Sequence, residues 1–201
     1  IILTHGHEDH IGAMPYVLKE IDVPVYGTRL TLALLQGKLR ENNVQGNVKL
    51  HQIKARDNIK IGPFQVEFIK VSHSIADSVG LAVHTPVGTV VHTGDFKFDQ
   101  TPVDGEVTDF YKFAQLGEKG VLVLMSDSTN VERAGYTFSE KSVGLSLEEI
   151  FSQARERIIV ASFASNIHRL QQILDAARKF NRKVAVAGRS MVNVMNIGLE
   201  M

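Results

Sequence analysis

From Thr4 to Ile11 the sequence reads THGHEDHI, placing three histidines and two carboxylates in one short stretch behind the apolar residues Ile1 to Leu3. Imidazoles and carboxylates packed this closely repel one another or must be desolvated, a cost that a bound cation removes. In the pattern H-x-H-x-D-H, alternate residues of an extended segment face the same way, so His5 and His7 can hold one ion. Asp9 and His10 follow the turn into a helix and can serve a second ion nearby. There is no cysteine, so any metal must be held by histidine and carboxylate. Zinc suits such a site best, and manganese is admissible without thiolates. A divalent ion needs about four ligands. His73 and Asp95 stand where the rest are expected, each just past a strand, and a carboxylate at Asp95 can bridge two ions. His51, His84 and His92 have no spacing that asks for a metal, although His92 in HTGD is near enough to hydrogen-bond the site's surroundings.

The elements that position these residues alternate. Ile11, Met14, Leu18 and Ile21 recur at helical spacing. VPVYG reads as a short strand, TRLTLALLQGKLREN as a helix capped by Thr28, and VKLHQI as a strand. FQVEFIKV puts Phe64, Val66 and Phe68 on one face and ends before His73. VGLAVHT and TVVHT flank PVG as a hairpin whose second strand runs into Gly94-Asp95. GVLVLM reads as a central strand covered on both faces, ending at SDSTN with Asp127. Beyond it, Ser146 and Glu149 form an S-x-x-E capping box ahead of a helix. RIIVASFA, a helix over Asn166 to Phe180, and KVAVAG then read as a β-α-β unit, and NIGLEM ends within a helix-like stretch. The expected division is residues 1–138 and 139–201, with the boundary near Tyr136 to Lys141.

Composition bounds the partners. The chain has 201 residues, 44% of them apolar, enough for a sizeable core, and 22 basic against 22 acidic residues give no overall positive coat. From Gln153 to Arg189, however, eight basic residues face two acidic ones, Glu156 and Asp175. No apolar run reaches the roughly 20 residues of a membrane span, and the first residues lack a signal peptide's pattern, so a cytoplasmic protein without membrane contact is expected. Ser162, Ser165 and Asn166 fall between a strand end and a helix start, where free N–H groups favour an anion, and Arg189 and Ser190 repeat the arrangement. His168 and Arg169 lie in the first helical turn, within reach of a nucleotide. Capping and surface charge would explain the same residues without a ligand.

THGHEDHIG, His73 in VSHSIADS and Asp95 in HTGDF resemble the second, third and fourth motifs of the metallo-β-lactamase fold, an αββα sandwich. SDSTN resembles the first motif of the β-CASP branch, which acts on nucleic acids, with Asp127 in its acidic position, so the resemblance implies that Asp127 joins Asp9 and Asp95 as a catalytic carboxylate. HTGDFKFDQTPVDG, MSDSTN, SFASNIHR and GRSMVN are similar to bacterial ribonuclease J across nearly the whole chain. The resemblance implies that His5, His7 and His73 hold one metal, that Asp9 and His10 hold the second, and that Asp95 bridges. Two divalent ions activate water and neutralise charge on a phosphodiester, and Asp9 could orient that water or take its proton. The implied activity is RNA hydrolysis, 5′-to-3′ exonucleolytic with endonucleolytic cutting, in RNA maturation and decay. A homo-oligomer or paralogue partner is expected. The alternative is an inactive paralogue serving as an RNA-binding scaffold, and a small-molecule hydrolase of the same fold would leave SDSTN and the β-α-β unit unexplained. The chain opens inside a strand-like segment without an initiator methionine, and the family's strands before its second motif and its later histidine motifs lie outside these residues. It is therefore expected to be a fragment lacking both ends, marginal in stability and with little or no nuclease activity by itself.

Overall fold

The computed structural model describes residues 1–44, 46 and 48–200; Met201, the last residue of the helix-like NIGLEM, lies outside the described residues. Two sheets face each other. In the smaller, β1 (Val25–Gly27) and β2 (Leu50–Gln52) pair in parallel, and Ile2 bridges Tyr26 in parallel on the other side of β1. The larger sheet has the order β3-β4-β5-β6-β7, from β3 (Asn58–Ile61), β4 (Phe64–Lys70), β5 (Val79–Thr85), β6 (Gly88–His92) and β7 (Val123–Met125). Its first four strands form an antiparallel meander, and β7 joins β6 in parallel.

Three apolar clusters stack these sheets into the expected αββα layers. Val66, Phe68, Val79 and Ile53 pack with Ile2 and Tyr26 between the two sheets. Ile69, Ala82, Val91 and Leu116 join the far face of the larger sheet to helix α4 (Phe110–Lys119). Beyond the smaller sheet, Leu3, Ile11, Met14 and Val25 pack on Leu32, Leu35 and Leu39 of α3 (Arg29–Glu41). The alternation in FQVEFIKV works because Val66 and Phe68 face one layer and Ile69 the other. Phe64, expected on the buried face, is exposed at the end of the strand.

Several expected elements differ. The periodicity from Ile11 to Ile21 spans two short helices, α1 (Glu8–Ile11) and α2 (Met14–Glu20), divided before Pro15, and Ile21 is exposed. GVLVLM is the edge strand β7 and not a central one, with Leu122 to Met125 exposed, because only β6 pairs with it among the described residues. Helix α5 (Glu140–Gln153) starts at Ser139, whose Oγ accepts from the Lys141 N–H at 3.2 Å. Ser146 is in mid-helix, bonding back to the Ser142 carbonyl, so S-x-x-E is not the cap. The earlier serine already supplies the acceptor, with Glu140 favourably in the first turn. Helix α6 (Ile167–Lys179) is capped by Asn166, and α5 and α6 share Leu147, Phe151, Ala176 and Ala177 as a separate cluster. Helix α7 (Arg189–Glu200) follows. RIIVASFA and KVAVAG do not form strands among the described residues: their backbones find no ladder partner, and Ile159 and Phe163 are exposed.

Candidate metal centre

Strands β4, β6 and β7 run in the same direction, so their C-terminal ends meet at one edge of the sheet, and His73, Asp95 and Asp127 emerge there. The His5 loop is brought to the same edge by the Val79 N–H, which donates to the Thr4 carbonyl at 3.0 Å. Gly94 makes the approach to Asp95 possible. Its φ is +61°, and a Cβ there would stand 2.8 Å from the Val79 carbonyl oxygen. The Gly94 N–H donates to His92 Nδ1 at 3.0 Å, which is how His92 shapes this turn.

The donor atoms converge. His7 Nδ1 lies 3.2 Å from His5 Nε2 and 3.1 Å from His73 Nε2. Asp95 Oδ2 lies 3.8 Å from His5 Nε2 and 3.9 Å from His73 Nε2, while Oδ1 lies 3.5 Å from His10 Nε2. Tetrahedral ligands with bonds of about 2.0–2.1 Å are separated by roughly 3.3–3.4 Å, so the donor set suits a divalent ion of zinc's size. Two compact groups result: His5, His7 and His73, and His5, His10 and Asp95. Asp9 belongs to neither; it is largely exposed, with Oδ2 3.6 Å from His10 Nε2.

Electrostatics keep these imidazoles neutral and available as ligands. His5 is fully buried, and desolvation, reinforced by the neighbouring His10, His73 and His7, lowers its pKa to about 2. Burial, aided by His7, lowers His73 to about 4 despite the opposing pull of Asp95 and Asp127. His7 is also lowered by burial, against the carboxylates of Asp9 and Asp95 and a backbone hydrogen bond with Ser165. Thr4 Oγ1, 3.1 Å from His5 Nδ1, fixes the ring so that Nε2 points into the centre.

Asp127 supports the Asp95 loop. Its N–H donates to Thr93 Oγ1 at 3.0 Å, its Oδ1 accepts from the Thr129 N–H at 2.9 Å, and its Oδ2 accepts from the Phe96 N–H at 3.5 Å. Burial would raise its carboxyl, but the bonds from Thr129 and Phe96 outweigh burial and hold it below the usual range.

Ser165 and Ser190 line a cleft of about 440 Å³ that opens beside Gly6 and Glu8 and is bounded by α3 and α7. Lys38 on its wall is ion-paired with Glu8. The other residues expected to bind phosphate are placed differently. Asn166 Oδ1 accepts from the Arg169 N–H at 3.0 Å, as a helix cap. Ser162 turns to the Phe163 carbonyl, and Arg189 opens α7. His168 lies 3.8 Å from Asp104, and the Arg169 guanidinium is held by Glu140 at 2.7 Å.

The sequence reading missed two supports. Asp77, at φ +53°, accepts from Thr28 Oγ1 at 2.8 Å and from the Leu30 N–H at 3.1 Å. It thus caps α3 from the His73 loop, a role expected of Thr28; nothing local in the sequence signals a cap from that far away. Lys97 and Asp99, in contrast, could have been found. In DFKFD, Asp95, Lys97 and Asp99 alternate with two phenylalanines, a period-2 signal for three polar groups on one side.

The family model described as "Metallo-beta-lactamase superfamily" matches residues 1–161, and the one described as "Ribonuclease J, beta-CASP domain" matches residues 155–201. Proteins named ribonuclease J from Synechocystis sp. and Thermus thermophilus are 53% and 48% identical over 97% and 100% of this chain. Ribonuclease J2 from Bacillus subtilis is 44% identical over 100% of it. The chain spans only about a third of these relatives, 31%, 36% and 36% of their lengths. A solved protein of unknown function from Enterococcus faecalis, 20% identical, superposes with a TM-score of 0.71 over 99% of this chain and 48% of its own, sharing the fold. With its histidine and carboxylate loops gathered at one edge of an αββα sandwich, the chain belongs to the metallo-β-lactamase superfamily, and its last segment matches the β-CASP domain of ribonuclease J.

Proposed function

We propose that the full protein is a ribonuclease that uses two divalent ions, zinc first and manganese as the other candidate, to hydrolyse RNA phosphodiester bonds. In this reading it is a 5′-to-3′ exonuclease with endonucleolytic activity and works in the cytoplasm. The observation that carries the proposal is the division of the Asp95 carboxylate: Oδ2 faces His5 and His73, and Oδ1 faces His10. One carboxylate would serve two cations, with His5, His7 and His73 around the first and His10 and Asp9 beside the second. When bound, the ions would supply Lewis acidity and charge neutralisation at a phosphodiester.

The chain's own residues account for the remainder. Asp9, exposed beside His10, would accept a proton or orient a water. Asp127 holds the Asp95 loop through Phe96, so its part is positional. The cleft beside Gly6 and Glu8, with Ser165 and Ser190 on its wall, would hold an RNA backbone next to the loop that carries His5 and His7, and a second cleft reaches His73, Asp95 and Asp127. The N–H groups at the start of α7 would favour the RNA's phosphates. Residues 139–200 would then form the RNA-guiding part of a second domain, and the protein would assemble with a second copy or a paralogue.

The test is metal analysis of the full protein together with cleavage of 5′-labelled and 3′-labelled RNA. Two ions per chain, chelator-sensitive cleavage and mononucleotides released from the 5′ end are expected. RNA binding without cleavage at full metal occupancy would favour the scaffold reading, and active protein without metal would end the proposal.

A further inference from the structure

Lys97 lies two residues beyond Asp95, and its N–H donates to the Ser72 carbonyl at 2.8 Å, one residue before His73. It is therefore fixed to both ligand-bearing loops. Its Nζ reaches across to Asp99 at 3.5 Å and to Glu140 Oε1 at 3.4 Å. Glu140, the first residue of α5, gives its N–H to Asp99 Oδ2 at 3.1 Å. Its Oε2 accepts from Arg169 Nε at 3.2 Å and Nη2 at 2.7 Å, and its carbonyl accepts from Gln172 Nε2 at 2.7 Å. One side chain thus joins the Asp95 loop to the first turn of α6, the helix whose preceding loop carries Ser165 against His7.

The surroundings make this junction specific. Asp99 is 4% exposed, and although burial would raise its carboxyl, bonds from Ser139, Thr101 and Glu140 and the Lys97 charge hold it ionised. Burial would likewise raise Glu140, but Arg169 and Lys97 together outweigh that effect. His168 and Lys70, each 3.8 Å from Asp104, make a second crossing beside the first. Charged hydrogen bonds in a partly dry junction have a fixed geometry and are stronger than exposed ion pairs.

We propose that Glu140 is a positioning residue for RNA: with Lys97 and Arg169 it forms a three-member ionic strut that fixes the start of α6 over the metal centre. The proposal rests on the RNA-cleaving function inferred above. Arg169 serves RNA through this strut, by aligning Ser165 and Asn166 with the Asp95 loop, and not by touching the nucleic acid.

The experiment uses the full-length protein with its metals bound. Glu140→Gln keeps the shape and removes the charge. Losing one charged partner is expected to raise KM for single-stranded RNA about 10-fold while kcat changes less than about 3-fold, with metal content unchanged. Arg169→Gln should do the same, and the double variant should be no worse than either single one, since both remove the same strut. An Arg169 that binds RNA directly would instead be freed by Glu140→Gln, so an unchanged or lowered KM overturns the proposal, as do additive effects. A Glu140→Gln variant that loses metal, or loses kcat and KM together, shows general structural damage and also overturns it. A second readout keeps the strut separate from the function. Amides of residues 167–172 should exchange hydrogen faster in Glu140→Gln than in the parent. Faster exchange in Glu140→Gln, with a parent that cannot cleave RNA, would leave the strut standing and remove the function; unchanged exchange removes the strut.

Discussion

The loops around His5, His73 and Asp95 and the two segments RIIVASFA and KVAVAG are both built from strand-like sequence followed by polar turns, yet they are held in different ways. Around His5, His73 and Asp95 every turn is tied to another element: Thr4 to Val79, Ser72 to Lys97, Thr93 to Asp127, and Asp77 to the start of α3. The apolar residues behind them, Phe68, Ile69 and Val79, are fully or almost fully buried. In RIIVASFA and KVAVAG the backbone makes no ladder among the described residues, and Ile159 and Phe163 are 88% and 84% exposed. A strand sequence forms a strand only when a neighbour accepts its hydrogen bonds and covers its side chains, and the first region meets both conditions among the described residues.

The largest break in this contrast should come from Asp95→Asn. The amide loses the charge shared between the two groups of imidazoles, and turnover in the full protein is expected to fall by at least about 100-fold, since even changes behind a ligand cost 10–100-fold. Metal content measured on the same sample should fall at both positions. Next, Phe68→Ala empties the space between the two sheets and should cost about 3–5 kcal/mol in denaturant unfolding. The matched change in the other region, Phe163→Ala, should stay within about 0.5 kcal/mol. Equal costs would erase the distinction.

A pH titration sharpens it further. With metal removed by chelator, His5 and His73 have folded pKa values of about 2 and about 4, below the ordinary 6.5. The unfolded chain then binds more protons between those values, so this contribution is complete above pH 6.5 and is lost as pH falls towards the folded values. The thermal midpoint of the apoprotein should drop from pH 7.5 to pH 5.5, and His5→Gln should flatten the dependence. The smallest effect expected in the ordered region is Asp77→Ala, which removes the cap of α3 and should cost about 1–2 kcal/mol, read by chemical unfolding. No change would mean that Thr28 takes over the capping role assigned to it from the sequence.

Much of the site was legible because H-x-H-x-D-H is local: strand spacing and the turn into α1 place those residues without help from the rest of the chain. His73 and Asp95 were legible as strand-end residues, because β4 and β6 carry clear alternation. GVLVLM was misjudged because an apolar run records what could be covered, not what covers it. The start of α5 was misjudged because two serines compete and only packing against α6 and Asp99 selects Ser139. The edge position of β7, the lack of a ladder partner for RIIVASFA and KVAVAG among the described residues and the pairing of Arg169 with Glu140 depend on neighbours far away in sequence.

The sequence by itself determined the gathering of imidazoles and carboxylates in H-x-H-x-D-H and the alternation that builds the αββα layers, since spacing and period are properties of neighbouring residues; the metallo-β-lactamase and β-CASP character was carried by the resemblance of its longer motifs. The tertiary structure alone decided that Asp95 divides its oxygens between two groups of histidines, that Asp9 stays apart from both, and that Asp77 caps a helix 47 residues before it. Those facts are distances between atoms remote in sequence, fixed by sheet order and by one glycine at φ +61°, and no local pattern encodes them.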